Sequence, residues 1–263
     1  SLIYKETPMT LETLRIEQPT QTKPIEWINR LDEPDISHIV TEDDEPVDNI
    51  PSEKQQRFLA ESLYTSWKGG TEKRMFLAST NVGLFRDPHE PPIVPDVFLS
   101  MDVEVAEDWY AKKHRTYFFW EFGKPPEVVI EVVPNRKGGE DTSKLDRYAQ
   151  MGVEYYVIFD PLEQLSKTVL RVYRLHGQSY RGVHSTWFES VGLGVCLWEG
   201  EYEGMERLWL RWCDRDGRLI PTGAERVAWE QQRADREAAA RTAAESEIAR
   251  LRAEIERLRS SRR

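Results

Sequence analysis

Apolar residues along this chain come in two patterns, and they separate strands from helices. The stretch EVVIEVV (127–133) is apolar at every position except Glu127 and Glu131, and VEYYVIFDP (153–161) is nearly as continuous. Unbroken runs of this length suit strands covered on both faces. PDVFLS (95–100), RMFLAST (74–80), TYFFWEF (116–122) and TVLRVYRL (168–175) are read as further strands, with residues 81–94 as a loop. Two segments carry a helical stripe instead. From Glu53 to Trp67 the apolar positions are Phe58, Leu59, Leu63 and Trp67, with Ser52 as expected cap, Gln55 as its capping-box partner and Gly69–Gly70 as the stop. From 140 to 152, Leu145, Tyr148, Ala149 and Met151 form the inner side and Gly152 ends the helix. This alternation of helices and strands predicts an α/β fold with a mixed sheet.

The flanks differ from this centre. Residues 1–50 are polar and proline-bearing, with the acidic run VTEDDEPVDNIPSE, and read as an N-terminal arm. Residues 51–222 form the expected α/β domain, whose last part is rich in Trp and Tyr and turns at DRDG (214–217). Residues 223–263 are mostly Ala, Arg and Glu, and Ile248, Leu251, Ile255 and Leu258 fall at the a and d positions of two heptads. A helical tail able to self-associate as a coiled coil, and so a homodimer, is expected.

Composition narrows the function classes. The net charge of −10 argues against a surface coated in positive charge for non-specific nucleic-acid binding, though not against a local basic groove. Two cysteines cannot make a disulfide framework or a four-cysteine zinc site. No apolar run approaches the roughly 20 residues of a membrane span, and the first twenty residues lack the pattern of a secretion signal. The expected location is the cytoplasm. The five histidines are scattered without metal-ligand spacing.

Glu131 is the anomaly. A carboxylate in a strand buried on both faces is costly unless it is paired or binds a metal. Asp96 opens a neighbouring strand just after Pro95, and Lys144 lies on the helix that follows the Glu131 strand. Two carboxylates can hold Mg²⁺ through hard oxygen ligands. Such a metal activates water and stabilises charge on a phosphate, and a lysine ammonium can orient that water or neutralise developing charge.

The ordered set PDVFLS, PPEVVIEVV, Asp141, Lys144, Tyr148, GVEYYVIFDP and YRL resembles a PD-(D/E)XK nuclease core with its lysine displaced. More narrowly, it resembles the Uma-two family of restriction-endonuclease-like proteins, from about residue 50 to the end. The resemblance implies a restriction-endonuclease-like mixed sheet flanked by helices, and Mg²⁺- or Mn²⁺-dependent hydrolysis of DNA. It implies Asp96 and Glu131 as metal ligands, with Val132 offering its backbone carbonyl. The ordinary motif places lysine where this chain has Val133, so Lys144 is the expected substitute and Lys137 the alternative. Asp141 is expected to pair with Lys144 or cap its helix. Glu53, or else Glu61, is the expected further acid from the first helix, and Arg136, Lys137 and Arg147 are candidates for the DNA backbone. Two rivals stay open: a family member that binds without cutting, which the displaced lysine favours, and an interaction protein whose coiled coil matters and whose α/β domain is a scaffold.

Overall fold

The structure, a computed structural model, describes residues 49–104, 108, 114–133 and 142–261. In chain order the elements are α1 (Ile50–Ser62), continued by a π-helical turn (Leu63–Trp67), β1 (Phe76–Thr80), β2 (Leu84–Phe85), β3 (Val97–Met101), β4 (Tyr117–Phe118), α2 (Phe119–Phe122), β5 (Val128–Val132), α3 (Ser143–Met151), β6 (Tyr155–Phe159), β7 (Leu170–His176), β8 (Ser179–Val183), β9 (Trp187–Phe188), β10 (Leu193–Tyr202), β11 (Met205–Cys213) and α4 (Gly223–Ser260). The main sheet runs β1-β3-β5-β6-β7-β8. Only β5 and β6 are parallel, joined through α3, and every other neighbouring pair is antiparallel. The expected mixed α/β architecture is the observed one.

Every residue of β3, β5 and β6 is buried, as their unbroken apolar runs require. Val128, Ile130 and Val132 join Leu59 of α1, Leu63 of the turn after it and Leu210 and Trp212 of β11 on one face. Val129 and Val133 join Tyr148, Met151, Tyr156 and Ile158 on the other, beneath α3. Glu131 shares parity with this second set, so its side chain projects to the α3 side.

Four local expectations are corrected. The cap of α1 is Asn49, whose Oδ1 accepts the Ser52 amide at 2.9 Å, rather than Ser52 itself. Pro51 then lies in the first turn, where a missing N–H costs nothing. TYFFWEF is strand only at Tyr117–Phe118, paired in parallel with β2, and then turns helical. That turn stacks Phe122 on Tyr117 with ring centroids 4.3 Å apart, a contact a straight strand would not make. The 81–94 loop contributes β2 and a bridge from Leu84 to Ile93. The helix stops on Lys68, one residue before the expected glycines: Lys68 is left-handed at φ +53° and its amide donates to the Leu63 carbonyl, while Gly69 follows at φ +84°, where a Cβ would meet the Arg74 carbonyl oxygen at 2.0 Å. The helical tail is observed as α4, capped by a reciprocal Thr222–Glu225 box.

A second sheet, β11-β10-β9, packs on α1. β11 is an edge strand, and edge strands expose unpaired backbone groups. Gln55 closes this edge. Its Nε2 donates to the Leu210 carbonyl at 2.8 Å and its Oε1 accepts the Leu210 amide at 3.0 Å. Trp212 Nε1 donates to the Leu59 carbonyl at 3.0 Å. Together these bonds fix the rotation of α1 about its axis, which decides where Gln56 points. Gln55→Ala leaves two buried backbone groups without these partners, and at roughly 1–3 kcal/mol each it is expected to lower the unfolding free energy by about 2–6 kcal/mol in a urea titration.

Candidate active site

The candidate residues meet where β3 begins and β5 ends. These antiparallel strands pair Val97 with Ile130, and one further step sets Asp96 directly across from Glu131. Sequence separation is erased by the sheet.

Glu131 is 1% exposed. Its Oε1 accepts the Tyr148 hydroxyl at 2.6 Å, and its Oε2 accepts Lys144 Nζ at 2.9 Å. Both donors come from one face of α3, four residues apart, which is one helical turn. Lys144 itself is only 16% exposed. Burial, and then the Glu131 charge, push Tyr148 well above the usual tyrosine range, so it stays protonated and donating at neutral pH; the Asp96 charge acts in the same direction.

Asp96 is held from two sides. Its Oδ2 accepts the Val132 amide at 2.6 Å and its Oδ1 accepts Gln56 Nε2 at 3.0 Å. Gln56 is itself oriented, since its Oε1 accepts Asn81 Nδ2 at 2.8 Å, which turns its NH₂ towards Asp96. Asn81 sits in the left-handed region at φ +53°, and its amide donates to the Pro95 and Asp96 carbonyls. Gln56, Asn81 and Tyr148 were not singled out as site residues by the sequence. Tyr148 was legible as a core position, and only its hydroxyl's target was hidden.

The other expected residues divide. Glu53 lies on the outer side of α1, 51% exposed, paired with Arg57; the side chain α1 sends to Asp96 is Gln56. With Asn49 as cap and Gln55 fixed on β11, α1 turns Glu53 away from the sheet. Glu61 also serves elsewhere, its Oε1 accepting the Gly223 amide at the start of α4. Arg147 donates to the carbonyls of Pro91 and Pro92, both at 3.0 Å, and braces that loop. Arg136, Lys137 and Asp141 lie outside the described residues. Asp160, at the matching end of β6, is fully buried and accepts the amides of Gln164, Leu165 and Ser166, so it organises a loop.

Among the described residues no group of three or more His, Cys, Asp or Glu side chains is set to hold a metal ion. The donor set still fits a hard divalent cation. Asp96 and Glu131 supply carboxylate oxygens, and a strand residue projects its N–H and C=O to the same edge, so Val132, which donates to Asp96, turns its carbonyl to that side as well.

Residues 33–190 match the model of the Uma2 (Uma-two) family, whose description reads "Putative restriction endonuclease". No curated protein matches the chain. Among the described residues no helix is long and apolar enough to cross a membrane.

The Lys144–Glu131 pair sets a stability test. Lys144→Met takes a cation away from a buried carboxylate and is expected to cost about 2–4 kcal/mol in urea denaturation. Adding Glu131→Gln removes the charge and should recover most of that loss, a coupling above about 1 kcal/mol. Additive effects would mean that the two groups do not depend on each other.

Proposed function

Because the chain belongs to the Uma2 family, we propose that it is a Mg²⁺-dependent endonuclease, with Mn²⁺ as an alternative, that hydrolyses DNA phosphodiester bonds at Asp96, Glu131 and Lys144. The support lies in one juxtaposition. Residues from the start of β3, from β5 and from α3 converge at one end of the sheet, and Lys144 of α3 stands 2.9 Å from Glu131, which supports it as the substitute for the lysine that the ordinary motif would place at 133.

Asp96, Glu131 and the Val132 carbonyl would hold the metal. When bound, it supplies a Lewis acid that makes water a nucleophile near neutral pH and offsets charge on the phosphate. The chain's own residues do the rest. Tyr148 and Lys144 hold Glu131 in one orientation, and Val132 and Gln56 hold Asp96, so little rearrangement is left for the reacting state. An ammonium carries three N–H donors. Lys144 can therefore serve Glu131 and a reacting oxygen together, orienting the attacking water or stabilising charge on the phosphate.

A second reading has its own observation. All four oxygens of the two carboxylates already accept a protein donor, from Gln56, Val132, Tyr148 and Lys144. A set satisfied in this way can persist as structure in a protein that binds without cutting. One assay separates the two. Purified protein is incubated with supercoiled, linear and single-stranded DNA in Mg²⁺, Mn²⁺ or chelator. The nuclease reading expects metal-dependent nicking, lost in Asp96→Ala and Glu131→Ala and reduced about 10²–10³-fold in Lys144→Ala. Activity that survives Lys144→Ala but is lost in Lys137→Ala would transfer the lysine's role to the 134–141 segment. Folded protein that cuts no substrate would support the binding reading.

A further inference from the structure

α4 runs for 38 residues, and none of its residues is buried in the single chain. Most of its surface suits solvent, with ion pairs one turn apart such as Arg233–Glu237 and Arg241–Glu245. Six large apolar residues do not, and two of them, Val227 and Trp229, stand apart near the start of the helix. Ile248, Leu251, Ile255 and Leu258 fall on one stripe and stand 45% to 54% exposed. An apolar stripe along a helix gains nothing from water and is removed from it by a facing surface.

The residues beside the stripe say which surface that is. With Ile248 and Ile255 at a and Leu251 and Leu258 at d, the g positions are Glu247 and Glu254 and the e positions are Arg252 and Arg259. In a parallel pair in register, each g residue faces the e residue of the following heptad on the other helix. Glu247 then meets Arg252 and Glu254 meets Arg259, in both directions across the seam. An antiparallel pair would set g against g and e against e, so glutamate would face glutamate and arginine would face arginine. β-Branched residues at a with leucine at d favour two strands over three or four. Nearer the domain the same register carries Glu230, Glu237 and Arg241, which confines tight pairing to the last part of the helix.

We propose that two copies of this chain associate through residues 244–258 as a parallel, in-register, two-stranded coiled coil. The orientation matters because α4 is fixed to the α/β domain at its N-terminus. Arg211, 3% exposed, binds Glu225 with both of its NH groups, at 2.9 and 2.6 Å, and Gly223 donates to Glu61 at 2.8 Å. Parallel pairing therefore places both domains at the same end of the coil, with one candidate site on each. The interface stands independently of the cleavage reading, because its test needs neither DNA nor metal.

Sedimentation equilibrium of the full chain is the test. The expected mass is twice the 30.8 kDa of one chain, falling with dilution. Leu251→Asp with Leu258→Asp should give a monomer with unchanged circular dichroism from the domain. Glu247→Arg with Glu254→Arg makes every g–e contact repulsive and should weaken association by roughly tenfold or more. Adding Arg252→Glu with Arg259→Glu reverses both partners and should restore it. A wild-type monomer at high concentration, or a trimeric mass, would overturn the proposal. So would association that ignores the glutamate reversal, which indicates antiparallel pairing, or association that survives the leucine substitutions, which indicates another surface.

Discussion

A carboxylate near the end of a buried strand constrains everything around it. Glu131 cannot reach water from β5, and an ion stripped of solvent there costs several kcal/mol unless charge and hydrogen bonds are returned to it. α3 returns both, a cation from Lys144 and a hydroxyl proton from Tyr148, one turn apart on the same face. That requirement fixes the rotation of α3 over the sheet. It also explains why the helix joining two parallel strands is the one that carries the lysine, since it crosses directly above the strand that needs it.

The opposite face is organised to hold the second carboxylate. α1 is fixed on the small sheet by Gln55, which closes the edge of β11, and by Trp212, which donates to Leu59. With α1 held there, the next residue, Gln56, reaches Asp96 while Asn81 holds the other end of its amide. The two faces of the sheet thus each supply one carboxylate's support, and the carboxylates face each other where β3 and β5 meet. The chain belongs to the Uma2 family, and the proposed cleavage would use this arrangement. The hydrogen bonds account for how the chain accommodates two acids at a place where stability would favour apolar residues.

The main strands and helices were legible because their apolar runs have the right period and length, and burial answered them residue by residue in β3, β5 and β6. The errors share a cause. Ser52 and Asn49 are both good caps, and only the packing of the first turn chose Asn49. TYFFWEF has strong strand propensity, but Tyr117 gains a stacked ring only if the chain coils after Phe118. Glu53 was plausible as a helix acid until the phase of α1 was known, and that phase is set by contacts with strands more than a hundred residues further along the chain.

What the sequence determined by itself was the presence of the conflict and its chemical partners. Glu131 in an apolar run, Asp96 after a proline at the head of another, and Lys144 on a following helix are local patterns, visible because burial and charge oppose each other within a few residues. The stripe and flanking charges of α4 are equally local, because helical geometry converts spacing directly into faces. Tertiary structure decided which polar groups complete the set. Gln56, Asn81 and the Tyr148 hydroxyl carry no signal of their own, since an amide or phenol can hydrogen-bond almost anywhere. Their partners exist only once strand register and the rotations of α1 and α3 are fixed, and those depend on packing across the whole sheet.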